Sequence, residues 1–304
     1  MACKRAAHRS FCRRPSRAAV HRPLTTVPCP LNMRRLAAAA LLVAAVALSG
    51  CFQFRTLLRL APDGTGTIEE SVLLSDLIRS MMPADSTQAL YDEAAVRARA
   101  DSFGTGVRFV RVDTVSEGGF SGYRAVYAFD DVNAVRLLPG DGEAIGLSEG
   151  NDEGDGPTSA IPALAFDYAP GRSLRVTIPR EETAEDAAPL DSAAVAAAAE
   201  EVRQQVQEAA LARGFLEDAR LAVAVALPAP VAETDARYVE DGVLTLVDLN
   251  FGAFLDLMED DPVLAARLQM AETEEDREAA LRALNEYEGL RFEPQEEVTV
   301  TFEE

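Results

Sequence analysis

Apolar residues alternate with polar ones in short runs separated by Gly, Pro and Asp, and a period of two marks strands with one buried face. Phe52 to Leu60 reads as a first strand, Pro62-Asp63-Gly64-Thr65-Gly66 as a turn, and Thr67 to Leu74 as the return strand of a hairpin. A second hairpin is expected from Val107 to Val112 and Tyr123 to Phe129, joined through Gly118-Gly119, and a third from Leu164 to Tyr168 and Leu174 to Ile178, joined at Ala169-Pro170-Gly171-Arg172. Leu221 to Leu227 is a nearly continuous apolar strand that should pair with Val243 to Val247, and Leu290–Phe292 and Val298–Phe302 close the chain as strands inside a sheet. Between these runs the spacing turns helical over 75–80, 86–102, 132–138, 191–213, 251–258, 262–270 and 273–287. The expected class is α+β: mostly antiparallel sheet or sheets built from hairpins, covered by helices on one face. The two halves share an element order, which suggests a duplicated β-β-α-β-β unit. Asp131-Val132-Asn133 and Asp248-Leu249-Asn250 occupy equivalent strand-to-helix junctions in it. Helix capping accounts for these Asp and Asn residues better than a paired site does.

The stretch Met33 to Cys51 follows a different pattern. Arg34 and Arg35 precede an unbroken apolar run, Leu36 to Leu48, of 13 residues. That is short of the roughly 20 needed to cross a bilayer as a helix, and the layout is that of a secretory signal. Its ending, Leu48-Ser49-Gly50-Cys51, resembles the lipobox of bacterial lipoproteins. The resemblance implies cleavage between Gly50 and Cys51, lipidation of Cys51 with diacylglycerol and palmitate-type acyl chains, and a new N-terminus there. Residues 1–32 are polar and basic without an acid. They admit readings as a nucleic-acid arm or a transit peptide, but Met33 starts the signal properly, so 1–32 is expected to be an extension from a start codon assigned too early. The organisation expected is therefore 1–32 extension, 33–50 signal peptide, 51–138 first α+β half, 139–160 an acidic Gly-rich loop or linker, and 161–304 second α+β half. Phe52, standing where an Asp would hold a lipoprotein at the inner membrane, favours the outer membrane facing the periplasm in a diderm organism.

Composition then narrows the chemistry. The chain carries 29 basic and 50 acidic residues. With the nine basic residues of 1–50 removed, 20 arginines face 50 acids, a formal charge of −30 over 254 residues. Such a surface disfavours nucleic acid. After Cys51 there is no His, Lys, Trp or further Cys. No disulfide can form, and the usual zinc, copper and iron ligand sets cannot be assembled. Ser-His-Asp and Cys-His nucleophiles, Lys Schiff bases and P-loops are excluded in the same way. No catalytic residue, metal site or cofactor is expected. Asn151-Asp152-Glu153-Gly154-Asp155-Gly156 has the start of a calcium loop, but Pro162 stands where the distal Glu belongs.

The lipobox, the hairpin around Pro62-Asp63-Gly64-Thr65-Gly66 and the segment Val225-Ala226-Leu227-Pro228-Ala229-Pro230-Val231 together resemble the LppM-type lipoproteins. The resemblance covers parts of 51–75 and 221–250. It implies a cell-envelope protein with an α+β ectodomain and no established enzymatic role. The chain departs from the family pattern at Ala229, where Gly is frequent, and in lacking a Trp in the next strand; no site residue carries over.

The function expected is a lipid-anchored envelope protein with a non-catalytic ectodomain, attached to the membrane through Cys51 and binding a partner protein or an apolar envelope ligand. Two alternatives stand beside it. One is a hydrolase working with two carboxylates from Glu69 or Glu70 and Asp130 or Asp131, which would need them about 5–9.5 Å apart in a cleft. The other is a structural role in which the acidic surface keeps the protein hydrated.

Overall fold

The computed structural model describes residues 52–81, 92–137, 163–178, 190–209, 213–271 and 273–303. The leader, Gly50, Cys51 and the acidic stretch 139–160 with its calcium-like loop lie outside the described residues.

The class is α+β, as the hydrophobic pattern implies. An eight-stranded sheet contains β1 (Phe52–Leu60), β2 (Gly66–Ser75), β3 (Arg108–Glu117), β4 (Phe120–Phe129), β8 (Arg220–Ala226), β10 (Val239–Glu240), β11 (Val243–Asn250) and β12 (Leu290–Phe292). Its order is β10-β11-β8-β1-β2-β4-β3, with β12 also on β11. A five-stranded sheet runs β5 (Arg136–Leu137), β6 (Leu164–Ala169), β7 (Ser173–Thr177), β13 (Glu297–Phe302) and β9 (Val231–Thr234). All three expected hairpins form. β1 and β2 pair from Phe52↔Leu74 to Leu60↔Gly66, and the β3–β4 turn uses Gly118 and Gly119 at φ 60° and 81°, values that cost glycine little. β13 lies inside its sheet, between β7 and β9.

Pairing departs from the symmetry of the element order. β6 and β7 join the second sheet, whereas β8 and β11 join the first, where β8 runs parallel to β1. The two halves thus share an order of elements without sharing a pairing, because the free edge of β1 recruits β8. The expected helix over 75–80 forms as α1 (Asp76–Met81), while two other expected stretches take a different form among the described residues. Residues 132–138 give a 3-10 turn, Val132–Ala134, followed by β5. From the 86–102 stretch the described part forms α2 (Glu93–Ala98) and a 3-10 turn, Arg99–Phe103.

The cover differs as well. The even-numbered side chains of β1 and β2 face inward: Phe54, Leu58, Ile68 and Val72 are buried. They meet Leu174, Val176, Val298 and Val300 of the second sheet, and Val96, Ala100 and Phe103, in one core. The inner face is therefore covered by a second sheet and the 93–103 segment. The longer helices, α3 (Ser192–Ala209), α5 (Phe251–Asp260), α6 (Pro262–Met270) and α7 (Glu274–Leu284), have cores of their own. Val195 and Val202 pack among the helices alone, whereas Leu257 and Leu264 share a cluster with Leu290 of β12 at the edge of the first sheet.

The inner face of the first sheet contains a buried charge. Glu70 of β2 is fully buried, with Thr56 and Ala125 as its cross-strand neighbours. Arg99 Nη2 donates to its Oε2 at 2.7 Å and the Tyr123 hydroxyl donates to its Oε1 at 3.1 Å. Burial and the Glu70 charge push the Tyr123 pKa up, so the phenol keeps the proton it donates. Tyr127, beside it, donates to the Val96 carbonyl at 2.9 Å and ties the sheet to α2. Removing one partner of a buried pair leaves an uncompensated charge, whereas removing both leaves an apolar core. Arg99→Ala should thus destabilise the fold by roughly 3–5 kcal/mol, measured by denaturant unfolding, and Glu70→Leu combined with Arg99→Met should recover most of that loss.

Candidate functional site

The sequence-derived carboxylate candidates are not brought together. Glu69 and Glu70 are successive residues of β2, so they point to opposite faces. Glu69 takes Arg59 Nε at 2.8 Å and Nη2 at 3.3 Å on the outer face, whereas Glu70 is in the core. Asp130 holds Arg108 at 2.8 Å. Asp131 caps the 3-10 turn by accepting the Asn133 amide at 2.9 Å. Glu70 is paired with Ala125, five residues before Asp130 along β4, which is roughly 16 Å at strand rise. That separation exceeds the roughly 5–9.5 Å of a glycosidase pair.

The two Asp-x-Asn junctions do cap. Asn133 Oδ1 accepts the Tyr168 amide at 2.7 Å and thereby links the 3-10 turn to β6. Asn250 Oδ1 accepts the Ala253 amide at 2.9 Å and caps α5. Asp248, two residues earlier, forms a forked pair with Arg220, Nε to Oδ1 at 2.6 Å and Nη2 to Oδ2 at 2.5 Å. Hydrogen bonding to Asp248 raises the Arg220 pKa, against partial burial and with the Asp248 charge.

Around this junction lies a polar cleft of about 440 Å³, bounded by Arg213, Arg220, Asp248, Asn250, Asp256 and Glu288. Arg213, from the short helix α4 (Arg213–Leu216), binds Asp256 and Glu259 of α5. Gly252 and Gly289 complete its wall, and a Cβ on Gly252 would lie 2.8 Å from the Glu217 carbonyl oxygen. Arg220 sits opposite Gln53 of β1, so the cleft is at the end of the sheet where the chain enters it. Its Asp248 and Asp256 are paired with arginine, and Glu217 and Glu288 also line it.

No family model matches the sequence, and no curated protein matches it. Among solved structures, the folded domain of the Mycobacterium tuberculosis protein LppM, determined by NMR, aligns with 67% of this chain and 85% of its own, at 15% identity and a TM-score of 0.31. A TM-score of that size does not establish a shared fold.

Helical packing creates a feature that apolar chemistry can use. A groove of about 430 Å³ opens between the start of α3, the start of α6 and the middle of α7. Leu190, Val195, Val263, Leu264, Ala280 and Ala283 line it, with Ser192, Arg267 and Asp276 also in its lining. Val263 is 38% exposed there. The helical spacing over 191–213 does not show that alanines of α7 would leave a gap beside Val195. Small side chains on one helix opposite branched ones on another produce such a groove.

A buried carboxyl also escaped sequence reading. Glu293 is 4% exposed; its Oε2 accepts the Arg237 amide at 2.9 Å, and its Oε1 has no partner among the described residues. Burial pushes its pKa up, against the Arg237 and Gln295 amides and with the nearby Asp235 charge. A carboxyl with a raised folded-state pKa stabilises the fold in its protonated form. That contribution is complete below the ordinary value of 4.5 and is lost as pH rises through the folded value. Glu293→Gln is therefore expected to raise the thermal midpoint at pH 7–8 by about 2–4 °C, with the gain vanishing by about pH 4, read by thermal unfolding across pH.

Proposed function

We propose that the protein is a lipid-anchored component of the cell envelope whose non-catalytic ectodomain binds an apolar envelope molecule in the groove between α3, α6 and α7. The groove carries the binding reading: its volume of about 430 Å³ is within the roughly 300–1,000 Å³ of small-molecule sites, and such sites are mainly apolar with a few polar groups that fix orientation. Arg267 and Asp276 are those groups here. The anchor reading rests on the leader sequence, with Cys51 acylated after cleavage from Gly50. Phe52 gives it structural support, since β1 starts at that residue and Phe52 is buried against Phe251, ring centroids 6.1 Å apart. An acyl chain on Cys51 then holds the domain to the bilayer with no intervening linker. Phe52, rather than Asp, after Cys51 favours the outer membrane facing the periplasm where the cell is diderm.

Two measurements test this reading. Intact mass of protein purified from membranes should equal the chain from Cys51 plus lipid, and Cys51→Ser should remove the added mass and release the protein from the membrane fraction; an unmodified mass for the membrane-bound protein would overturn the anchor. Organic extraction of the purified protein should yield an apolar molecule. Val263→Asp, at an exposed position, should reduce its recovery by at least about tenfold, the scale of losing a small apolar contact and burying a charge, without lowering the thermal midpoint.

A further inference from the structure

The outer face of the first sheet carries a second site that the groove does not explain. Across β1, β2 and β4, Arg55, Ser71 and Arg124 form one row: Arg55 pairs with Ser71, and Ser71 with Arg124. All three point outward, because their strand neighbours Phe54, Val72 and Tyr123 point into the core. Both arginines are exposed, and neither has an acid partner among the described residues. The other charges on this face are matched. Arg59 holds Glu69, Arg111 holds Asp113 at 2.9 Å, and Arg108 holds Asp130. Asp113 stands across from Arg124 in the strand register but is engaged by Arg111; on the other side of β1 the face carries Asp248, held by Arg220, and Glu240, held by Arg291, and Glu117 lies at the far end of β3. Ala222 and Ala224 of β8 extend the face on the other side of β1 with small side chains, so it is flat there.

We propose that this row is a phosphate-binding site for the headgroups of anionic lipids, and that it lays the outer face of the sheet on the membrane holding the anchor. Two arginines on strands roughly 10 Å apart can converge on one phosphate above the strand between them. The Ser71 hydroxyl is a further donor at its centre. Arg55 lies four residues from Cys51, roughly 13 Å along an extended strand, so anchoring brings the row within reach of headgroups. The remaining charge of the domain is strongly negative, yet it acts weakly beyond about 8–10 Å at physiological salt, and the face that touches the surface decides the contact. The proposal rests on acylation of Cys51.

The test uses the lipidated full chain on vesicles of 30% phosphatidylglycerol in phosphatidylcholine, or of phosphatidylcholine alone. With Cys51 acylated and the leader removed, Ala224→Cys offers one labelling site on the outer face and Glu303→Cys one beyond the second sheet. A fluorophore at 224 should be quenched by a headgroup-attached quencher on the anionic vesicles, and at 303 it should not. Arg55→Glu and Arg124→Glu should each weaken the surface-bound state about fivefold, the factor expected for one basic residue at an anionic surface. Arg172→Glu, an exposed arginine on the β6–β7 turn, should leave quenching unchanged. Equal quenching on both vesicle types, or quenching that survives both reversals, would overturn the proposal while leaving the anchor intact. Failure to float with either vesicle, together with an unmodified Cys51, would instead sink the anchor, and this site with it.

Discussion

Hydrogen bonding along both edges of β1 is the constraint on which the rest of the fold depends. β1 is antiparallel to β2 and parallel to β8. A parallel neighbour cannot be reached by a tight turn and needs a long crossover. The chain between Leu60 and Arg220 makes that journey, and on the way it lays down β3 and β4 on the far side of β2, the hairpin of β6 and β7, and helix α3. Once β8 is in place, β11 closes beside it and delivers Asn250 to the start of α5. The helical bundle is thus set at the end of the sheet where β1 begins. Phe52 against Phe251 marks the junction.

The second sheet exists because the inner face of the first is apolar over most of its width. β13, formed from the last strand of the chain, is held on both sides by β7 and β9. Within that shared core the Glu70, Arg99 and Tyr123 group is the one buried ionic network that the described residues contain. A buried pair of this kind is weak as a source of stability but costly to break. Its effect is geometric: only one register of β2 against β4, and one placement of the 93–103 segment, brings all three groups together.

The surfaces of the protein differ in chemistry. The groove in the helical bundle is apolar with a few polar groups, the cleft at Asp248 is built around arginine–carboxylate pairs, and the outer face of the first sheet carries two arginines with no acid partner among the described residues. Carboxylates are abundant, but abundance does not make a reactive pair: Glu69 and Glu70 are separated by the strand pleat, and Asp131 is spent on a cap. The absence of His, Lys and Trp after Cys51 removes the reagents most hydrolases use and the ring most suited to stacking on sugars.

What the sequence determined by itself was local. The period-two runs placed β1, β2, β4, β6, β7, β8 and β11 within a few residues, and Gly118-Gly119 placed a turn, because alternation and turn chemistry are encoded over ten residues or fewer. Asn250 and Asp131 were legible as caps for the same reason. The lipobox-like ending at Cys51 is equally local, and it carries the expectation of an anchor without help from the fold. Tertiary structure alone decided which strands became neighbours. Val231–Thr234 became β9 because β13 offered it an edge; Arg136–Leu137 became β5 in place of helix because β6 offered another. Long-range pairing also settled that Glu70 is buried while Glu69 is not, that alanines of α7 face branched residues of α3 and α6 across a groove, and that Arg55 and Arg124, 69 positions apart in the chain, share one row. A hydrophobic period tells each segment that it has an inside, but the identity of the partner that supplies that inside is a property of the whole chain.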